Sequence, residues 1–93
     1  MEIEFDPAKN AANRRKHRID LAEAAGFEFE TALIVEDDRY DYGEPRWQAL
    51  GLIGARLHML VFTVREAKVR VISLRKANDR ECAYYEKQTS APE

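Results

Sequence analysis

The feature that most constrains the fold is a group of three apolar segments joined by very short polar turns. The segments are RWQALGLI, LHMLVFTV and VRVISLR, and only GAR and REAK separate them. Turns of this length join antiparallel neighbours, because a parallel connection needs a dozen or more residues. The middle segment is apolar at nearly every position, which is typical of a central strand covered on both faces. The sequence therefore predicts an antiparallel meander.

Two short helices are predicted before the meander. Asp6 is a natural N-cap, and Pro7 follows at the first helical position, where its missing N–H costs nothing. This helix is expected to run to about His17. Asp20 and Glu23 then have the spacing of a capping box, in which each of two residues bonds a backbone N–H of the other. They predict a second helix directly after the first.

One more strand and a closing helix complete the predicted fold. Residues 32–35 form a β-rich apolar run, MEIEF is a short strand candidate, and Asn78 and Glu81 form a second capping-box pair. The predicted fold class is α+β, with two N-terminal helices, an antiparallel sheet of about four strands and a C-terminal helix. We expect a single domain over residues 1–93 whose last residues, QTSAPE, are disordered.

Composition limits the chemistry available to the chain. Cys82 is the one cysteine and the two histidines are His17 and His58, so no internal disulfide forms and neither a metal site nor a cofactor is expected. His58 lies in the central apolar segment and is expected to be a hydrogen-bonded structural residue. The chain has no leader-like start and no apolar run of about 18 residues, so we expect a cytoplasmic protein with no membrane contact.

Charge is segregated along the chain although the net charge is only −2. RRKHR, at residues 14–18, is followed over residues 19–45 by nine acids against Arg39 alone, and residues 46–76 carry seven bases against one acid. Within the acidic block, EDDRYD lacks the spacing of a calcium-binding loop and is expected to be a solvated loop. Folding can still bring the two basic blocks to one face, where they would attract an anionic partner.

RRKHR allows two interpretations. Lys9, Asn13 and Lys16 lie on one narrow stripe of the predicted helix, and His17 flanks that stripe. Cations in a last helical turn complement the helix dipole and need no ligand. Alternatively, His17 is a proton-transfer group, because histidine titrates near neutral pH and neighbouring cations favour its neutral, basic form.

Two further segments combine charges that suit an anionic substrate. In GEPRW, Glu44 and Arg46 alternate along an extended chain and share a face; they form either a surface ion pair or a general base with an anion clamp. In VRVISLRKANDRE, Arg75 ends a strand just before a helix, and Arg80 lies in that helix's first turn. A cation there opposes the helix dipole, so the pattern favours a phosphate site at the helix N-terminus.

Taken together and in order, these segments resemble the BrnT family of bacterial toxins over nearly the whole chain. The most specific matches are D-P-x-K-x-x-x-N-x-x-K-H at residues 6–17 and I-S-x-R-K-A at residues 72–77. The resemblance implies a RelE-like ribonuclease fold and RNA cleavage that halts translation. It also implies neutralisation by a cognate BrnA-type antitoxin in a hetero-oligomer. Such an antitoxin commonly carries a ribbon-helix-helix part, so that DNA is contacted only through the antitoxin.

The resemblance also implies site residues. The expected active-site positions are Lys16, His17, Glu44, Arg46, Arg75 and Lys76. Further contacts to RNA are expected from Lys9, Arg14, Arg70 and Arg80. One departure is Arg18, where relatives often have glycine after the histidine, and it leaves the tightness of the following turn open.

Our mechanistic hypothesis is cleavage without a metal, in which the 2′-OH next to the scissile phosphate is the nucleophile. Either Glu44 or His17 is then the base and the other the acid, while arginines stabilise the developing charge. Lys16 and Lys76 would hold the RNA backbone. The alternative is a small non-catalytic interaction module whose basic face binds an acidic partner or nucleic acid without cutting it.

Overall fold

The sheet has five strands, one more than the sequence predicts. The computed structural model describes residues 2–39 and 41–90. Its strands are β1 (Ile3–Glu4), β2 (Leu33–Glu36), β3 (Trp47–Ile53), β4 (Arg56–Arg65) and β5 (Lys68–Lys76). Their order across the sheet is β1-β5-β4-β3-β2, and β2 to β5 form the predicted antiparallel part. The prediction of about four strands is wrong because the short strand at the chain start joins the sheet, parallel to β5.

The helices begin where the sequence predicts, and the second is a short 3₁₀ helix. Helix α1 spans Pro7–His17 and α2 spans Asp79–Thr89. Between α1 and β2 lies a six-residue 3₁₀ helix, Leu21–Gly26, at the position of the predicted second helix. Its capping box is present, but Phe27 leaves the helix to bridge Ile53 of β3, which ends the helix early. Residues 91–93, part of the expected disordered end, lie outside the described residues.

The two faces of the sheet are covered differently. On one face the 3₁₀ helix packs onto the central strands, and the main core contains Leu21, Ala24, Leu60, Val71 and Leu74. On the other face α2 covers only one end, in a smaller cluster that includes Leu50, Leu57, Ala77, Cys82 and Tyr85. Among the residues that the structure describes, no helix crosses the rest of this second face. We call it the open face.

An extra residue in β5 decides which side chains reach the open face. Phe62 of β4 lies opposite Val71, and the preceding residue Val61 lies opposite Ser73, so Ile72 has no partner in the register. Such a β-bulge shifts the alternation of side chains by one position. Val71 and Leu74 therefore both point into the core, and Arg75 points to the open face.

The turn after α1 keeps a left-handed backbone although it contains no glycine. Arg18 ends the helix with φ of 62°, and its N–H bonds the carbonyl of Arg14 at 2.9 Å. A side chain in this conformation costs about 1 kcal/mol relative to glycine. The turn is thus as tight as glycine would allow, and it leads directly to Ile19 and Leu21 in the core.

The side chain of Asn13 joins α1 to the sheet. Its amide nitrogen donates to the carbonyls of Leu74, at 2.8 Å, and Ile19, at 2.9 Å. Its amide oxygen accepts the N–H of Leu74 at 3.1 Å. β1 pairs with β5 only as far as Arg70, so the amide takes the place of a strand at this part of the edge. Asn13 is 5% exposed, and α1 is thereby fixed against β5.

We predict that Asn13→Ala lowers the free energy of unfolding by about 3 kcal/mol, because it leaves buried backbone groups without partners. Urea unfolding followed by circular dichroism measures this loss. Gln88→Ala removes an exposed amide from α2 and should change stability by less than about 0.5 kcal/mol. Equal, small losses in the two variants would show that the Asn13 bonds do not hold α1 to the sheet.

Candidate active site

A groove runs between α1 and the open face of the sheet. Its volume is about 650 Å³, and its floor includes Gln48, Val61 and Ser73. The charged or titratable side chains that line it are Lys9, Lys16, His17, Arg39, Arg75 and Glu81. Folding thus brings the end of RRKHR beside the end of VRVISLR. Four cations and one carboxylate therefore line the groove.

His17 ends α1 and lines the groove half-buried. Burial lowers the pKa of its imidazole, and the positive charges of Lys16 and Arg75 lower that pKa further. The ring is therefore neutral at neutral pH and able to accept a proton. His58, by contrast, is buried and its Nδ1 lies 2.9 Å from the carbonyl oxygen of Arg56, which confirms its structural role.

Glu81 holds Arg75 at the end of the groove. Nη1 and Nη2 of Arg75 donate to the two carboxylate oxygens of Glu81, each at 2.8 Å. These bonds raise the pKa of Arg75 and lower that of Glu81. The same carboxylate accepts the N–H of Asn78 at 2.9 Å in the predicted capping box. Arg75 is in this way attached to the first turn of α2.

The expected phosphate site at the start of α2 does not form as predicted. The N–H groups of Asn78 and Glu81 bond within the capping box, and Arg75 faces a carboxylate instead of a vacant anion site. Sequence reasoning gave Glu81 only its capping role. Its position six residues after Arg75, in the first turn of the next helix, is the signal that could have indicated the ion pair.

Glu44 and Arg46 belong to a second charged cluster, beyond the groove. Glu44 accepts two hydrogen bonds from Arg65, at 2.7 and 2.9 Å. Arg65 lowers the pKa of Glu44, and the charges of Arg46 and Arg70 lower it further. Arg46 lies two residues before Gln48 of the groove floor, so strand alternation places it on the open face. The cluster therefore adjoins the groove, although neither Glu44 nor Arg46 lines it.

Arg46 has an unusual environment. Its guanidinium carbon lies 4.0 Å from the centre of the Tyr42 ring, a cation–π arrangement. Its Nε is buried and is the one such side-chain atom without a hydrogen-bond partner in the described part of the chain. Buried unpaired donors are rare, and each one calls for an explanation. Arg46 is thus a stacked cation with unused hydrogen-bonding capacity.

The remaining expected site residues lie outside the groove. Lys76 follows Arg75 and alternates to the opposite face of the sheet. Arg14 lines a separate depression on the back of α1, together with Arg15 and Arg18. Arg70 pairs with Glu4 at 3.2 Å, and Arg80 is exposed on the first turn of α2.

Sequence reasoning also missed Arg39, the base within the acidic block. It lines the groove, and Asp37 beside it is 5% exposed. The expectation that EDDRYD is a solvated loop is therefore wrong for Asp37.

Among the residues that the structure describes, no group of three or more histidine, cysteine, aspartate or glutamate side chains could hold a metal ion. No helix in the same residues is long and apolar enough to cross a membrane.

The fold and the groove define a small α+β protein with a cationic, histidine-bearing cleft. The family model described as "Ribonuclease toxin, BrnT, of type II toxin-antitoxin system" matches residues 5–81. The chain belongs to this family, whose members are ribonuclease toxins with an antitoxin partner. A search of curated proteins gives no significant match. The match spans α1, the whole sheet apart from β1, and the first turn of α2 with Glu81.

We predict that Glu81→Gln lowers the free energy of unfolding at pH 7 by about 0.5–1 kcal/mol, since it removes a partly exposed ion pair but retains the cap. The pKa of Glu81 is lowered by folding, so this contribution is present above the ordinary pKa of about 4.3 and is lost as the pH falls below it. Urea unfolding at pH 7 and pH 3 measures both values.

Asp79→Asn is the matched control, because Asp79 is exposed in the same helical turn. It should cost only about 0.3 kcal/mol through the helix dipole. An E81Q loss no larger than that of D79N, or one independent of pH, would contradict the ion-pair account.

Proposed function

We propose that this chain is a toxin that cuts RNA without a metal, blocks translation in the cytoplasm and is neutralised by a BrnA-type antitoxin with a ribbon-helix-helix part. The observation that carries the proposal is the groove that places a neutral His17 beside Arg75 and Lys16 in a member of a ribonuclease toxin family. A base and cations are what cleavage by a neighbouring 2′-OH requires. No resident metal enters this scheme.

In the proposed reaction His17 accepts the proton of the 2′-OH, and the 2′-oxygen forms a bond to the adjacent phosphorus. The bond from phosphorus to the 5′-oxygen breaks, and that oxygen takes a proton from solvent. Arg75 stabilises the negative charge that develops on the phosphoryl oxygens, as preorganised donors do in other enzymes. Because Glu81 binds only the outer pair of nitrogens, Nε of Arg75 is left to face the phosphate.

The geometry favours His17 over Glu44 as the base. Glu44 is held by Arg65 and has a lowered pKa, which makes it a weaker base than an ordinary carboxylate and keeps it from acting as an acid. We assign Glu44 to the orientation of the arginines around it. Arg46 then extends the binding surface beyond the groove, where a stacked guanidinium suits a phosphate or a base.

The lysines on α1 have a separate role in this scheme. Lys9 and Lys16 lie about two turns apart on the helix wall of the groove, which suits contacts to the RNA backbone on either side of the cut. Lys76 points away from the groove, so we do not assign it to the backbone. Arg14 lies in the separate depression on the back of α1, so it could contact only a part of the RNA that extends past the helix.

We predict that the purified protein cuts RNA equally well with an excess of chelator, and that the 3′ ends produced are 2′,3′-cyclic phosphates or 3′-phosphates. Gel analysis of a labelled RNA, with and without phosphatase treatment, tests both statements. Loss of cleavage with chelator and recovery with Mg²⁺ would contradict the mechanism. A gel shift with intact RNA would instead support the non-catalytic interaction module.

The pH dependence of cleavage tests the assignment of His17. Because its pKa is lowered, kcat/KM should rise with pH through a midpoint below the ordinary histidine value of about 6.5. In His17→Gln this acidic limb should vanish and kcat/KM should fall by about 10²–10⁴-fold. Glu44→Gln should keep the limb at the same midpoint. Retention of the limb in H17Q would show that His17 is not the base. Loss of the limb in E44Q would assign the base to Glu44.

A further inference from the structure

The loop between β2 and β3 is organised by one buried carboxylate. Asp37 accepts hydrogen bonds from Nε of Arg39 at 2.8 Å, from Nη2 of Arg39 at 3.0 Å and from the hydroxyl of Tyr42 at 3.3 Å. The N–H of Asp37 donates to the carbonyl of Arg46 at 2.7 Å, which closes the loop. These contacts hold the pKa of Asp37 at about 2, so it is ionised at neutral pH.

Arg39 is the partner that Asp37 fixes in place. Its side chain is 63% exposed, whereas that of Asp37 is 1% exposed. The carboxylate takes the side of the guanidinium formed by Nε and Nη2, which leaves both hydrogens of Nη1 outside these bonds. Arg39 also lines the groove, together with α1 and Arg75. Arg39 is thus a fixed, exposed cation at the groove where RNA is proposed to lie.

The charge of Arg39 and the order of its side chain both favour binding of an anion. Arg39 is the single base among the nine acids of residues 19–45, and it is the charged residue of that block that lines the groove, where a positive charge attracts a nucleic acid. An exposed arginine normally loses considerable side-chain entropy when it binds. Here the ion pair with Asp37 orders the side chain beforehand, and preorganisation of this kind favours binding.

We propose that Arg39 binds a backbone phosphate of RNA, and that Asp37 positions it for that contact. The RNA backbone is then held by Lys9 and Lys16 on the α1 side of the groove and by Arg39 on the loop side. This inference rests on the proposed function, because it concerns RNA in the same groove. Asp37 touches no substrate in this account and acts through Arg39.

The direct test is the affinity for a 2′-O-methyl RNA, which cannot be cut by 2′-OH attack, measured over a series of salt concentrations. Arg39→Ala should weaken binding by roughly 10-fold, as expected for the loss of a charged hydrogen bond. The slope of log K against log salt should fall in magnitude by about 0.7, the value for one phosphate contact on a single strand. With cleavable RNA, KM should rise and kcat should be retained.

Arg56→Ala is the matched control, because Arg56 is exposed at the start of β4 and does not line the groove. It removes the same charge and should leave the affinity within about 2-fold and the salt slope nearly unchanged. Equal effects of R39A and R56A would overturn the proposal. If R39A weakened only the antitoxin complex, the arginine would belong to the protein interface instead.

Asp37→Asn tests the positioning role. It should weaken RNA binding in the wild-type background and have no further effect in the Arg39→Ala background, because Asp37 acts through Arg39. A further loss in the double variant would show that Asp37 serves the loop fold and not the arginine. Wild-type protein that neither binds nor cuts RNA would refute the proposed function itself, whereas intact wild-type cleavage with an unaffected R39A refutes this inference alone.

Discussion

The amide of Asn13 bonds three backbone groups on two different segments, and the groove depends on that connection. Helix α1 is strongly polar and contributes only this one buried residue. Its attachment to the sheet therefore rests on directional hydrogen bonds more than on apolar packing. The bonds to Leu74 fix the helix beside β5 one residue before Arg75, while the bond to Ile19 fixes the turn after His17. His17 and Arg75 are neighbours as a consequence.

The electrostatics of the groove follow from this placement and from the bulge at Ile72. The bulge brings Arg75 to the open face, where its positive charge helps to keep His17 neutral. Glu81 then holds Arg75 without neutralising the whole groove, because Lys9, Lys16 and Arg39 also line it. Two carboxylates fix two of these cations in place, since Glu81 pairs with Arg75 and Asp37 pairs with Arg39.

Local chemistry explains which features could be predicted from the sequence. The caps at Asp6 and Asn78 depend on residues within one helical turn, and both appear where predicted. The capping box at Asp20 is also present, but the 3₁₀ form of the helix and its end at Gly26, where Phe27 bridges β3, depend on tertiary contacts.

Features that depend on tertiary contacts could not be predicted. The bulge at Ile72 interrupts a run that reads as an ordinary strand, and it decides the direction of Arg75. The pairing of β1 with β5 requires residues far apart in the chain. In the same way, the approach of Arg39 to the groove depends on the burial of Asp37, and an acid-rich loop gives no local sign of that burial.

The structure of the protein bound to a short RNA with 2′-deoxyribose at the cleavage site would test the central claim most directly. The scissile phosphate should lie within hydrogen-bonding distance of Arg75, with the 2′ position of the preceding nucleotide next to the ring of His17. A phosphate bound at Glu44 and Arg46 with the groove unoccupied would contradict the account, as would one bound in the depression beside Arg14 and Arg18.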